Sequence, residues 1–202
     1  MQIKVLDNFF PAELINKLLI ESEDYEWVFK RGDGNDDIYW TKHVYGSNFD
    51  RGNNHKILTE FTDSTVKESW DYFSNKFNIK TENLVSVYLN GLPNGTEAHQ
   101  HIDSRNEKAV TVICYLCTDW NSHWSGETSF YDGKFSLNPA DSVFYTHEVQ
   151  KTVLPRYNRI VIFNAGIIHA VHPLSKSFKG LRKTLMFKIE NISYEELLQN
   201  AA

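Results

Sequence analysis

From residue 83 onward the chain breaks into short apolar segments, each closed by a turn signal, and this rhythm constrains the fold more than any other feature. LVSVYL, EAHQHID, AVTVICYL, ETSFY, SVFY, RIVIF, IIHAVHPL and RKTLMFKIE follow in order. Between them stand Leu92-Pro93-Asn94-Gly95, Asp132-Gly133, Asn138-Pro139, the stretch from Pro155 to Asn158, and Gly180. Glycine and asparagine reach left-handed backbone and proline fixes φ, so such clusters reverse a chain. About eight strands at this spacing predict a mainly β sandwich or barrel.

The front of the chain reads differently. Pro11 suits a helix start, and Leu14, Ile15, Leu18 and Leu19 then share one face. A second helix is expected over about 57 to 77, where Val66, Trp70, Phe73 and Phe77 keep the helical period. Between them RGDGNDDIYWTKHVYGSNFDRGNN is loop-like with a strand-like centre, IYWTKHVY. SYEELLQ predicts a short closing helix. With no Pro/Ser-rich linker, the expectation is a single domain over 1–202: a helical support and substrate-side segment over 1–82, a β core over 83–190 and a C-terminal helix over 191–202.

Composition excludes several classes. Lys+Arg is 21 and Asp+Glu is 26, a net charge of −5, which argues against a general nucleic-acid partner. No apolar run approaches the ~20 residues of a membrane helix, and the start lacks the layout of a signal peptide. A cytoplasmic protein with no membrane partner is the expectation. Cys114 and Cys117 form a CxxC inside a strand-like run, where positions three apart face opposite sides, so they read as two reduced thiols.

The chemistry is concentrated in a few residues. In an extended segment His101 and Asp103 point the same way. A further histidine, His169, lies far downstream in FNAGIIHAVHP. Two histidines and one carboxylate make the facial set of non-haem Fe(II) oxygenases, with positions left open for reactants. Neither HxD nor a lone histidine is specific by itself. Their order is more so, because Arg182 follows at the head of RKTLMFKIE and Thr184 shares its strand face. A guanidinium fork matches a carboxylate bidentately, as the far end of a metal-bound dicarboxylic acid requires.

These parts resemble a known family. YLNGLPNGTEAHQHID, AVTVICYLCTDWNSHWSGETSFYDGK, PRYNRIVIFNAGIIHAVHPL and GLRKTLMFKI resemble, in order, segments of the Fe(II)/2-oxoglutarate-dependent oxygenases of the prolyl 4-hydroxylase-like branch. The resemblance covers residues 84 to 190 and implies a double-stranded β-helix, the jelly-roll or cupin-like barrel. It implies His101, Asp103 and His169 as iron ligands and as the catalytic centre. Arg182 then binds the C5 carboxylate of 2-oxoglutarate, with Tyr115, Tyr88 and Thr184 as further cosubstrate residues. The cofactors implied are Fe(II), 2-oxoglutarate and O2, with ascorbate as a reductant. The implied reaction hydroxylates a substrate and releases succinate and CO2. That substrate is a peptide, a protein side chain or a small metabolite, with a prolyl residue the first expectation. Two positions depart from the family pattern: Ser125 and Asn158 stand where it has glycines.

Other readings use the same residues. His99 shares a face with His101 and Asp103, and His172 follows His169 on the other strand face. His43, His55, His123 and His147 read as surface or core residues, Trp120 and Trp124 as packing, and Glu127 as a hydrogen-bonding group within the fold. Lys183 is the alternative cosubstrate anchor, although alternation turns it away if Arg182 points in. Substrate choice is expected in 31–55, 119–125 and 132–158. The rival functions are a cupin-like metal enzyme without 2-oxoglutarate and an inactive barrel acting as a binding module. Arg182 with Thr184 argues against the first, and the intact metal set argues against the second.

Overall fold

The computed structural model describes residues 2–31, 38–47, 57–133 and 148–201, apart from the side chains of residues 30, 31 and 38. The expected strand SVFY, the turn at Asn138-Pro139, His55, His147 and much of the 31–55 and 132–158 segments lie outside the described residues.

The described strands are β1 (Ile3–Leu6), β2 (Val28–Arg31), β3 (Ile38–Ser47), β4 (Ile57–Leu58), β5 (Leu84–Leu92), β6 (Ala98–His101), β7 (Ala109–Tyr115), β8 (Thr128–Tyr131), β9 (Val149–Val153), β10 (Ile160–Asn164), β11 (His169–Val171) and β12 (Arg182–Glu190). They form two antiparallel sheets. The major sheet runs β1-β10-β7-β12-β5-β3-β2 with β4 beside β3, and the minor sheet runs β6-β11-β8-β9. This is the double-stranded β-helix expected for residues 83 onward. Every residue of β7 is buried, because both faces of the strand are covered.

The two faces of the major sheet do different work. On the outer face Val87, Leu89, Val110, Val112, Leu185 and Phe187 form one cluster with two helices. These are α1 (Ala12–Glu23), which buries Leu14, Ile15 and Leu18, and α2 (Ser64–Lys76), which buries Val66, Trp70 and Phe73. Trp70 meets Phe187 edge-on at 5.5 Å between ring centroids. On the inner face Ile113, Tyr115, Val161, Phe163 and Met186 pack with Phe130 and Val153 of the minor sheet. The barrel interior is therefore apolar, and the polar side chains that remain inside it stand out.

Several boundaries differ from the sequence reading. α2 begins at Ser64 rather than near 57, because Asp63 caps it by accepting from Val66 N at 2.9 Å. Ile57 and Leu58 pair instead with Ser47 and Gly46 of β3. The first 82 residues are more than a helical support, since β1 pairs with β10 and β3 with β5. β9 was not expected from its sequence: of VQKTV only Val153 is buried, so no alternation shows. The C-terminal helix α3 (Tyr194–Gln199) carries a reciprocal cap between Ser193 and Glu196.

Candidate active site

His101 is the last residue of β6 and His169 the first of β11, and the two are register partners. Directly opposed residues on antiparallel strands point to the same face, so the imidazoles meet with ring centroids 4.3 Å apart. Asp103 follows just beyond β6, and its backbone N–H donates to Ala165 O at 2.9 Å, which ties the turn to the end of β10. Its Oδ1 lies 3.7 Å from His101 Nε2 and its Oδ2 3.5 Å from His169 Nε2. One ligand atom from each of the three lies within 4.8 Å of the others, and among the described residues this is the group able to hold a metal ion.

The orientation of both rings has a local cause. His101 Nδ1 is 2.7 Å from His99 O, and His169 Nδ1 is 2.9 Å from Ile167 O. A carbonyl at Nδ1 fixes the proton there and leaves the Nε2 lone pair for a metal. His169 is almost fully buried beside Phe130 and Phe163. Burial, helped by His101, pushes its pKa down to about 3, so the ring is neutral and ready to act as a ligand. Burial alone raises the Asp103 pKa, but the electrostatic influence of Lys188, followed by His169 and His101, outweighs it and holds the carboxyl below the usual range. Lys188 Nζ sits 2.5 Å from Asp103 Oδ2, and Thr111 Oγ1 donates to the same oxygen at 2.7 Å.

At the other end of the interior Arg182 heads β12 and is 2 % exposed. Its Nε donates to Gly126 O at 2.6 Å and its Nη2 to Thr128 Oγ1 at 2.9 Å. The guanidinium lies 5.1 Å from the Tyr115 ring centre, and the Tyr115 hydroxyl meets Thr128 Oγ1 at 2.7 Å. Both hydrogen-bonding acceptors are neutral, and among the described residues no carboxylate pairs with this buried cation. Gly126 has to be glycine: φ is +74°, and a Cβ there comes within 2.6 Å of Leu174 and 3.0 Å of Trp120.

Strand register arranges the rest. Asn90, Thr184 and Tyr115 lie in one row across β5, β12 and β7. Asn90 Oδ1 is buried without a hydrogen-bond partner among the described residues. Tyr88 lies in the next row beside Met186, with Lys188 Nζ 6.0 Å from its ring centre. Tyr88 thus sits nearer the metal end than Arg182 does. Burial and the Asp103 charge raise its phenol well above the ordinary value. Lys183 points to the opposite face, donating to Ser22 Oγ at 2.8 Å and pairing with Glu23 of α1.

The remaining candidates lie apart from the metal group. His172 Nδ1 is 3.8 Å from Glu127, whose other oxygen accepts from Ser125 Oγ at 2.9 Å. Trp120 and Trp124 pack edge-on at 5.6 Å and both meet Phe178. Cys114 and Cys117 are buried and free, and burial raises both thiols, that of Cys117 to about 11. Ser125 and Asn158, the departures from glycine, both hold φ at +57°. Asn158 offsets the cost through its side-chain amide, which accepts from Phe10 N and donates to Phe10 O, both at 2.8 Å. The sequence reading did not single out Thr111, Thr128, Asn90 or Lys188. Lys188 was recoverable, since Arg182, Thr184, Met186 and Lys188 alternate along one strand face.

A double-stranded β-helix with two histidines and a carboxylate at one end of its interior and a buried arginine at the other defines a class of metal-dependent oxygenase. The family model described as the 2OG-Fe(II) oxygenase superfamily matches residues 84–187, just over half of the chain. The protein belongs to that superfamily: it is a 2-oxoglutarate- and Fe(II)-dependent oxygenase that uses O2. No curated protein matches the sequence significantly. Among solved structures, a prolyl-4-hydroxylase from Pseudomonas putida is similar at 16% identity with a TM-score of 0.61, covering 94% of this chain and 93% of its own. A prolyl hydroxylase from Trichoplax adhaerens, in complex with a hypoxia inducible factor peptide fragment, is similar at 14% identity with a TM-score of 0.65, covering 100% and 88%. HygX from Streptomyces hygroscopicus, with nickel, 2-oxoglutarate and hygromycin B bound, is similar at 14% identity with a TM-score of 0.61, covering 94% and 82%.

The residues fit both groups that the family uses. Two imidazoles and a carboxylate, with no thiolate in the group, are a donor set for Fe(II). A buried guanidinium whose partners among the described residues are all neutral is the complement of a dicarboxylate, because an unpaired buried charge is costly.

No helix among the described residues is long and apolar enough to cross a membrane.

Proposed function

We propose that His101, Asp103 and His169 hold Fe(II), that Arg182 receives the C5 carboxylate of 2-oxoglutarate, and that the site hydroxylates a peptide, with a prolyl residue the first candidate. The observation that carries this reading is the buried Arg182, which has no carboxylate partner among the described residues, inside the same barrel as the His-Asp-His group. Iron and 2-oxoglutarate together supply the oxygen-activating chemistry, with release of succinate and CO2. The chain's own residues bind, orient and exclude water. Backbone carbonyls at Ile167 and His99 aim the two Nε2 atoms. Tyr115 and Thr128 orient the guanidinium, and Thr184 lines the same cosubstrate end. Tyr88 stands between the two ends and closes the apolar wall with Met186 and Ile113. The whole chain acts as one oxygenase unit in this reading, since β1 and β3 complete the sheet that carries β12.

A peptide substrate is favoured by the fold shared with two prolyl hydroxylases, one of them holding a peptide. The test is succinate formation with Fe(II), 2-oxoglutarate, O2 and ascorbate, followed by a screen of proline-containing peptides and small metabolites for gain of one oxygen. Succinate production together with an oxidised peptide is expected. Oxygen gained by a metabolite alone overturns the peptide assignment, and no succinate under any condition overturns the site assignment.

A further inference from the structure

The metal-binding end of the barrel contains a cation of its own. Lys188 lies on β12 on the same face as Arg182, with its side chain 13% exposed. Its Nζ is 2.5 Å from Asp103 Oδ2 and 3.2 Å from Thr111 Oγ1. Thr111 in turn donates to that same Oδ2 at 2.7 Å. One carboxylate oxygen is therefore engaged twice, and Oδ1, 3.7 Å from His101 Nε2, is left as the ligand atom. The pairing also cancels a charge. With the imidazoles in the neutral form that a metal ligand requires, one carboxylate and one ammonium sum to zero.

A divalent ion entering such a site is held by its three ligand atoms but gains no further attraction from net charge, and it meets an ammonium at close range. An anion bound beside the ion meets the reverse: Lys188 attracts it. Both effects are large where water is excluded.

We propose that Lys188 is a positioning residue that, through Asp103, disfavours a metal ion alone and favours the anionic cosubstrate beside it. This rests on the reading of His101, Asp103 and His169 as the metal site. The two consequences have opposite signs. Removing the charge tightens the bare ion and loosens the anion, whereas loss of a merely structural contact weakens both.

The experiment titrates Mn(II), a redox-stable probe, into the full chain by calorimetry, and then 2-oxoglutarate into the Mn(II)-loaded protein. Wild type is compared with Lys188→Gln, which keeps the stem and a donor but not the charge, and with Lys188→Arg, which keeps the charge. For Lys188→Gln the expected result is tighter Mn(II) binding and weaker 2-oxoglutarate binding, each by roughly 5- to 150-fold, the usual range of coupling between two sites. Lys188→Arg should follow wild type in both titrations. If Lys188→Gln does not fold, the same titrations on Lys188→Met decide. Unchanged or weaker Mn(II) binding in the charge-free variant overturns the proposal while the metal site stands. If wild type binds no Mn(II), or His169→Ala binds it equally well, the metal-site reading fails and the proposal fails with it.

Discussion

Asp103 answers to four neighbours at once: His101, His169, Lys188 and Thr111. A single substitution there therefore removes a ligand and leaves the partly buried Lys188 without its carboxylate. For His101→Ala, Asp103→Ala and His169→Ala, Mn(II) affinity should fall by more than about 100-fold, since even partners outside the ligand set are worth about 10–100-fold. Titration calorimetry measures this beside circular dichroism as a check of folding. His172→Ala should bind as wild type, because its ring contacts Glu127 and Tyr131 rather than the metal group. At the other end, Arg182→Ala should weaken 2-oxoglutarate by roughly 30-fold to several thousand-fold, the consequence of about 2–5 kcal/mol for one partner of a desolvated charge pair. Lys183→Ala should leave 2-oxoglutarate affinity unchanged and lower stability instead, because its ammonium serves Ser22 and Glu23 on the helix side. Equal losses in both variants, read in the same titration, would put the anchor in doubt.

At the scale of elements, β12 does most of the organising. It pairs with β5 on one side and β7 on the other, and its alternation sends Arg182, Thr184, Met186 and Lys188 inward while Leu185 and Phe187 face the helices. A shift of one residue in that register exchanges the two sets, turning Leu185 and Phe187 into the barrel and Arg182 and Lys188 toward the helices, where apolar packing is needed. The helices hold the register by giving the outward set an apolar partner. α2 depends in turn on its cap. Asp63→Ala should lower stability by about 1 kcal/mol, the usual worth of an N-cap carboxylate, whereas Asp63→Asn should cost less. Denaturant midpoints with unchanged slopes distinguish these outcomes from a change of cooperativity.

At the scale of the whole molecule, the N-terminal strand is joined to the core by charge as well as by the sheet. Asp7, just past β1, takes a forked contact from Arg159, with Nε to Oδ1 at 2.6 Å and Nη2 to Oδ2 at 3.0 Å, and a further 2.9 Å bond from Arg156. The Arg159 hydrogen bond is the largest influence and, with Arg156, lowers the carboxyl below its ordinary 3.8. A lowered folded value means that the unfolded chain binds the proton more readily. The stabilisation is therefore fully present above 3.8 and is lost as pH falls toward the folded value. Asp7→Asn should lower the melting temperature most at neutral pH, and the gap to wild type should shrink as pH falls below 3.8. Thermal melts of both proteins across that range check the sign. A gap that widens on acidification would show that the pair does not stabilise the fold.

Much of this molecule is legible in the chain because it depends on short-range rules. Turn residues and period-two alternation mark β5 to β8 and β10 to β12, since strand faces are set by neighbours two residues apart. HxD is legible for the same reason, and Arg182 with Thr184 likewise. The short edge strand β1 and the largely polar β9 are not, because pairing across the sheet makes them strands. The site is a similar case. His101 and His169 are 68 residues apart in the chain and become partners only through the β6–β11 register. The Lys188–Asp103 pair, the Thr128 contact to Arg182 and the buried Asn90 oxygen also exist only across strands. Local patterning along the chain sets which residues share a strand face. Tertiary structure alone decided which faces meet, because that choice is made by burial of apolar surface and by hydrogen bonds between segments remote in the chain.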